Sequence, residues 1–422
     1  KSSRPPPTHF IMNPAASLRG IHANKLQCIA REAIVRYIAL NMKSRKETIN
    51  EILKRAGIEE NGPNPWDIKV HNEKFYSRVL GGGSLALGES YMDGWWDVED
   101  LSEFLTKLLC IKVDEHVRPW SFHLITAYAK LANLQNKARS LQVAKEHYDI
   151  GNDLYKRMLD KRMTYTCGYW KDAQTLDEAQ EAKLDLVCKK IGLKKGDRVL
   201  DIGGGWGSFA AFAAEKYGAE VVAITISKEQ AELGRELTKG LSVEIRVQDY
   251  RDVDDGPYDH IVSLGMFEHV GYKNYRAYME KARELLKEDG LFLLHTIGSN
   301  ISRVSGEPWL DKYIFPHGML PSIAQIGRAI ENVFVMEDWH NFRTYYDKTV
   351  MEWAKNFEKE WPEIKDNYKL PAEVEASAGE RFCRMWRYYL AAAAAMFRSH
   401  RAQLWQIVLS PKGVRHGYRS IR

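Results

Sequence analysis

The chain has 422 residues, 45% of them hydrophobic, which is enough for two or three domains with cores of their own. No apolar run reaches the roughly 18 residues a membrane span requires; the nearest, residues 390–397, is mostly alanine. Five widely spaced cysteines with no C-x-x-C pair argue against a disulfide framework or a zinc site. Together with an N-terminus unlike an export signal, they make the cytoplasm the expected location. The net charge of +5 is unevenly spread: residues 1–50 hold nine Lys/Arg against two Glu, residues 381–422 hold nine Lys/Arg and no acid, and the stretch between is acidic. Basic ends of this kind suit an anionic surface, phospholipid or nucleic acid, or are plain solvated faces, and charge alone does not choose. No nucleic-acid-binding motif accompanies the charge, so nucleic acid is not an expected partner.

Residues 1–42 read as a peripheral extension. A Pro-rich opening (Arg4-Pro5-Pro6-Pro7) precedes helical spacing from Ile29 to Met42, which fits a membrane-surface helix and a packing helix equally. Residues 43–112 form a small, mainly helical segment: a helix over 49–56, a turn at Gly81-Gly82-Gly83, the aromatic stretch Tyr91-Met92-Asp93-Gly94-Trp95-Trp96 and an amphipathic helix over 101–109. Residues 113–140 read as a helical linker, and residues 141–422 as one further domain. There, apolar strands over 198–202, 220–225, 243–247, 260–264 and 290–296 alternate with helices, as in a parallel sheet covered on both faces. The last third reads as helical and aromatic, with a final strand near 404–409.

The first strand of that domain runs into Gly203-Gly204-Gly205-Trp206-Gly207, and a helix follows from Ser208. Glycines let the backbone turn sharply and approach a ligand, and the helix start offers free N–H groups. Dinucleotides share this loop. However, the second strand ends Ile224-Thr225-Ile226-Ser227, without the acid that would hold an NAD ribose, and the third is followed by Gln248-Asp249-Tyr250. An acid for an adenine amino group and an aromatic ring for its face suit S-adenosylmethionine; a cap at Asp249 and a core ring at Tyr250 are the structural alternative. Gly265-Met266-Phe267-Glu268-His269 and His295-Thr296-Ile297-Gly298 follow the fourth and fifth strands, at the carboxyl edge where open α/β sheets build their sites.

The blocks EHYDIGND (146–153), YTCGYW (165–170), VLDIGGGWG (199–207), TIS (225–227), QDYRD (248–252), GMFEHVG (265–271), LLHTIGS (293–299), KYIFPHG (312–318) and DWHNF (338–342) stand in order. In them the chain resembles the bacterial cyclopropane fatty acid synthases from about residue 46 to its end. It is also similar, over the catalytic part, to the mycolic acid cyclopropane synthases. The resemblance implies a Rossmann-like class I methyltransferase fold with a mostly parallel seven-stranded sheet, plus an N-terminal lipid-binding-type domain. It implies transfer of a carbon from S-adenosylmethionine to the cis double bond of an unsaturated phospholipid acyl chain, at a membrane surface and by a homodimer. A methyltransferase acting on a lipid or an amine without ring closure is the alternative.

The resemblance also assigns residues. A bicarbonate ion acting as base would be held by the side chains of Glu268, His295 and Tyr346 and by backbone N–H groups of Cys167 and Ile297. Tyr346 is preferred to the adjacent Tyr345 for its distance from Trp339 along the chain. Tyr165, Thr166, Gly203, Gly205, Thr225, Gln230, Asp249 and Tyr250 would hold S-adenosylmethionine. No metal is expected.

Overall fold

A computed structural model of the protein describes residues 44–112, 152–367 and 376–422. The extension over 1–42, the linker over 113–140 and most of the EHYDIGND block therefore lie outside the described residues. The chain divides into two units, residues 1–52 and 53–422. Of the first, the described part is the start of helix α1 (Arg45–Arg55). That helix opens on a reciprocal cap, Ser44 Oγ accepting from the Glu47 amide while Glu47 Oε2 accepts from the Ser44 amide.

The second unit begins with a two-stranded antiparallel ribbon, β1 (Lys69–Val70) and β2 (Trp96–Asp97), flanked by α2 (Lys74–Met92) and α3 (Leu101–Cys110). Gly81-Gly82-Gly83, read above as a turn, lies inside α2. Gly83 leaves helical geometry, at φ 59°, and two helical segments meet there at a kink. The α2 residue Glu89 accepts hydrogen bonds from Lys312, Tyr313 and Arg78, and Arg384 donates to Trp96 O and Asp97. This segment is thus fastened to the later helices α9 (Pro308–Tyr313) and α12 (Ala376–Arg398) by charge-assisted bonds.

The rest is a seven-stranded sheet of order β5-β4-β3-β6-β7-β9-β8. Its strands are β3 (Arg198–Ile202), β4 (Glu220–Thr225), β5 (Val243–Val247), β6 (Tyr258–Leu264), β7 (Leu286–Gly298), β8 (Val335–Asn341) and β9 (Gln403–Ser410). The first five pair in parallel; β9 runs antiparallel to both β7 and β8. Successive strand residues point to opposite faces, and the buried clusters obey this. Val199, Val221, Ala223, Val262, Leu293 and Val408 pack against α5 (Leu176–Lys190), α6 (Ser208–Tyr217) and α7 (Lys228–Leu237). Their neighbours Leu200, Val222, Ile224, Ile261, Phe292 and Ile407 pack on the other side, against α8 (Tyr275–Leu285) and α10 (Ile323–Ile330). α4 (Asn152–Met158) and α11 (Tyr345–Asn367) complete the described helices. The strand β8 was not anticipated.

Candidate functional site

The carboxyl ends of β3, β4, β6 and β7 gather most of the residues singled out above. After β3, Gly203 (φ 84°), Gly205 (φ 56°) and Gly207 (φ 81°) take left-handed backbone conformations that an L side chain strains to adopt. A Cβ on Gly203 would strike Met266 at 2.7 Å, so loop and GMFEHVG segment are in contact, whereas a Cβ on Gly205 would meet nothing within 4 Å. The loop is closely packed beneath Gly203 and open over Gly205, as a cradle for a ligand requires.

Glu268 and His295 form the polar centre. Glu268 is 7% exposed, and burial pushes its carboxyl up to about 7 against the hydrogen bond that Ile297 N–H donates to Oε1 at 2.6 Å. Oε2 has no protein partner. His295 is wholly buried; burial, with Lys183 and Lys190 adding to it, holds its imidazole well below the ordinary histidine range and so neutral. Its Nε2 has no protein partner either, while Nδ1 lies 3.3 Å from the Gln406 amide nitrogen. Buried polar atoms are ordinarily paired, so each orphan marks a place open to a polar ligand, and Glu268 is tied through Ile297 to the strand that carries His295.

Tyr346, at the start of α11, is the buried member of the Tyr345–Tyr346 pair, its ring against Phe397 and Trp353. Burial raises its phenol well above the ordinary range, with Tyr389, Cys167 and Glu268 as its electrostatic neighbours. Cys167 is also buried; desolvation drives its thiol up, which disfavours the thiolate a nucleophile needs. Tyr165 shares a 2.8 Å hydrogen bond with Tyr389 and stands among Tyr155, Trp353 and Phe315, a mostly aromatic wall.

Several of these positions are held by residues that sequence reading passed over. Lys183, fully buried, donates to Thr166 Oγ1 at 2.7 Å, and Gln180 Nε2 donates to Thr166 O at 2.7 Å. Thr349 accepts from Gly168 N–H and Trp170 Nε1, tying the YTCGYW strip to α11. Asp201, under the Gly loop, has one unpartnered oxygen, and burial drives both Asp201 and Lys183 toward their neutral forms.

The cofactor positions are more mixed. Thr225 Oγ1 donates to Gln230 Oε1 at 2.9 Å, so these two side chains are paired with each other. Asp249 caps the short turn after β5 through the Arg251 amide and pairs with the Arg251 guanidinium at 3.1 Å. Tyr250 is 6% exposed, edge-on to Tyr278 at 4.9 Å, with Arg251 over its ring. These are the contacts named in the structural alternative, a cap at Asp249 and a core ring at Tyr250. The Ile297 N–H, assigned above to the anion, donates here to Glu268 Oε1.

The residues present fit an adenosyl ligand at the open Gly205 cradle and a small oxyanion beside the orphaned Glu268 and His295 atoms. Comparison with known proteins agrees with the fold. The family model described as mycolic acid cyclopropane synthetase matches residues 135–407. The chain is 52% identical over 375 residues to the cyclopropane-fatty-acyl-phospholipid synthase of Escherichia coli K12, covering 88% of this chain and 95% of that one. A probable fatty acid methyltransferase of Pseudomonas putida is 39% identical over 286 residues, covering 65% of this chain and 70% of its own. The crystal structure of the mycolic acid cyclopropane synthase CmaA1 with SAH and CTAB superposes with a TM-score of 0.57 at 30% identity, covering 64% of this chain and 97% of that one. The sheet, the orphaned polar pair and these matches converge: the chain belongs to the mycolic acid cyclopropane synthetase family.

Proposed function

We propose that this chain is a cyclopropane-fatty-acyl-phospholipid synthase, which adds one carbon from S-adenosylmethionine across the cis double bond of an unsaturated acyl chain of a membrane phospholipid. The observation that carries the reading is the buried pair of unpartnered atoms, Glu268 Oε2 and His295 Nε2, at the sheet edge that carries the Gly203–Gly207 loop. S-adenosylmethionine supplies an electrophilic methyl group. An alkene that takes it becomes cationic, and closing a ring requires one proton to leave the transferred carbon. The neighbouring rings of Tyr165, Phe315, Trp353 and Tyr389 would limit the access of water and offer ring faces that stabilise positive charge without reacting with it.

Glu268, His295 and Tyr346, with the N–H groups of Cys167 and Ile297, would hold a bicarbonate ion as the proton acceptor. Glu268 would accept its O–H, and the neutral imidazole and the phenol would donate to its other oxygens. For Ile297 to take part, its N–H must be shared with or released by Glu268 Oε1. Residues 43–112 would serve as the lipid-binding-type domain, and the enzyme would work as a homodimer lying on a membrane.

A methyltransferase that stops before ring closure is favoured by the likeness to the probable fatty acid methyltransferase of Pseudomonas putida. Lipid mass spectrometry of cells expressing the chain separates the two. The expected result is a gain of one CH2 on unsaturated chains, in species that resist catalytic hydrogenation of an alkene. Products that still take up hydrogen would establish the methyltransferase, and unchanged lipids would remove both readings.

A further inference from the structure

His295 and Gln406 stand directly opposite each other on the antiparallel strands β7 and β9, and both side chains are wholly buried. The Gln406 amide nitrogen is 3.3 Å from His295 Nδ1. An amide nitrogen only donates, so the ring nitrogen it meets presents a lone pair. A neutral imidazole carries one N–H, which then sits on Nε2, the atom that lacks a protein partner. Turned about, the amide would place Oε1 on Nδ1, move the ring hydrogen there and leave a lone pair at Nε2. Glu268, bonded to the Ile297 N–H two residues along β7, also has a carboxylate oxygen without a partner, and a second bare acceptor beside it would repel an anion.

We infer that Gln406 is a positioning residue whose amide fixes the tautomer of His295, so that Nε2–H is presented to an anionic ligand. The pairing needs no contact between Gln406 and substrate. It depends on the strand register, which puts Gln406 opposite His295 and makes the amide one of the few polar side chains within the apolar run of β9. The identity of the anion rests on the reading above; the tautomer rests on the amide nitrogen that faces Nδ1.

The test is nitrogen-15 NMR of the full chain labelled at histidine, with His295→Gln identifying the two ring signals among the 13 histidines. The wild type should show a protonated-type Nε2 and an unprotonated-type Nδ1. In Gln406→Glu, near-identical in shape, the carboxylate accepts from the ring and Nδ1 should become protonated. In Gln406→Leu the signals should shift toward a tautomer mixture, with kcat down about 10- to 100-fold, as is typical when an orienting partner of a histidine is lost, and the KM for S-adenosylmethionine little changed. A protonated Nδ1 in the wild type, or a Gln406→Leu protein whose ring signals do not move, would overturn the assignment. If the wild type modifies no acyl chain yet shows the Nε2–H tautomer, the functional reading fails and the positioning role stands.

Discussion

In the proposed mechanism Glu268 is an acceptor, yet its surroundings favour the neutral acid, and this tension makes it testable. Burial raises the carboxyls of Glu268 and Asp201 to about 7 each. A group whose folded value lies above its unfolded one stabilises the fold fully below the ordinary carboxylate range and loses that contribution as pH rises through about 7. Glu268→Gln and Asp201→Asn imitate the neutral form, so each should flatten the fall in stability between the ordinary carboxylate range and about pH 7. The expected size is on the order of 3 kcal/mol per site, because each tenfold change in proton affinity on folding is worth about 1.4 kcal/mol. Chemical denaturation across that window checks it; a slope unchanged in both variants would mean that neither carboxyl is held protonated. Catalysis gives a second prediction. Glu268→Gln, His295→Ala and Tyr346→Phe should each lower turnover by roughly 10- to 1000-fold, as for lost acid–base or electrostatic groups, with S-adenosylmethionine affinity little altered. Cys167→Ser should stay active, because its thiol is kept protonated by burial. Turnover and calorimetry on the four variants decide this, and a folded but inactive Cys167→Ser would give the thiol a role denied to it here.

At the scale of elements, β3 and β4 announce themselves because they are short and apolar, and with β5 they span the residues anticipated. β8 does not, because it is an edge strand that pairs only with β9 and exposes Val335 and Met336, so no apolar alternation marks it. β7 begins at Leu286, earlier than expected, since Lys287 to Gly290 look like a turn and yet continue the strand. The candidate cofactor and anion residues were named mainly through family resemblance; the residues packed against them were hidden in regular patterns. Lys183 stands four residues after buried Ala179 and four before buried Val187, a charge on the inner face of α5, and Gln406 interrupts an apolar strand. Both were visible as anomalies of period. The Gly loop supplies the element-scale prediction. Gly205→Val adds a branched side chain at φ 56° in the open part of the cradle, so S-adenosylmethionine binding should fall at least 10-fold while the circular dichroism spectrum is retained. Unchanged affinity by calorimetry would move the cofactor elsewhere.

For the whole molecule, the question is what the basic ends do. Among the described residues the C-terminal excess is largely matched within the chain: Arg381 pairs with Asp93, Arg384 with Asp97, Arg387 with Glu358, Arg398 with Asp347, Lys412 with Glu288 and Arg422 with Asp338. All six partners lie outside residues 381–422, so a local count of charge exaggerates the field that an outside surface meets. Arg415 and Arg419 are exposed and form no ion pair among the described residues. An unpaired cation near an anionic bilayer is worth about 1 kcal/mol and is screened by salt, whereas a partly exposed internal pair contributes roughly 0–1 kcal/mol to stability. If the enzyme works on a membrane, Arg415→Gln with Arg419→Gln should weaken sedimentation with anionic vesicles by about 30-fold at low salt and leave the melting temperature unchanged. Arg381→Gln with Arg387→Gln should do the reverse, lowering the melting temperature by a few degrees while vesicle binding holds. Equal losses of binding in both double variants would show that the paired arginines still reach the lipid, and binding insensitive to salt in the wild type would show that charge does not dock this protein at all.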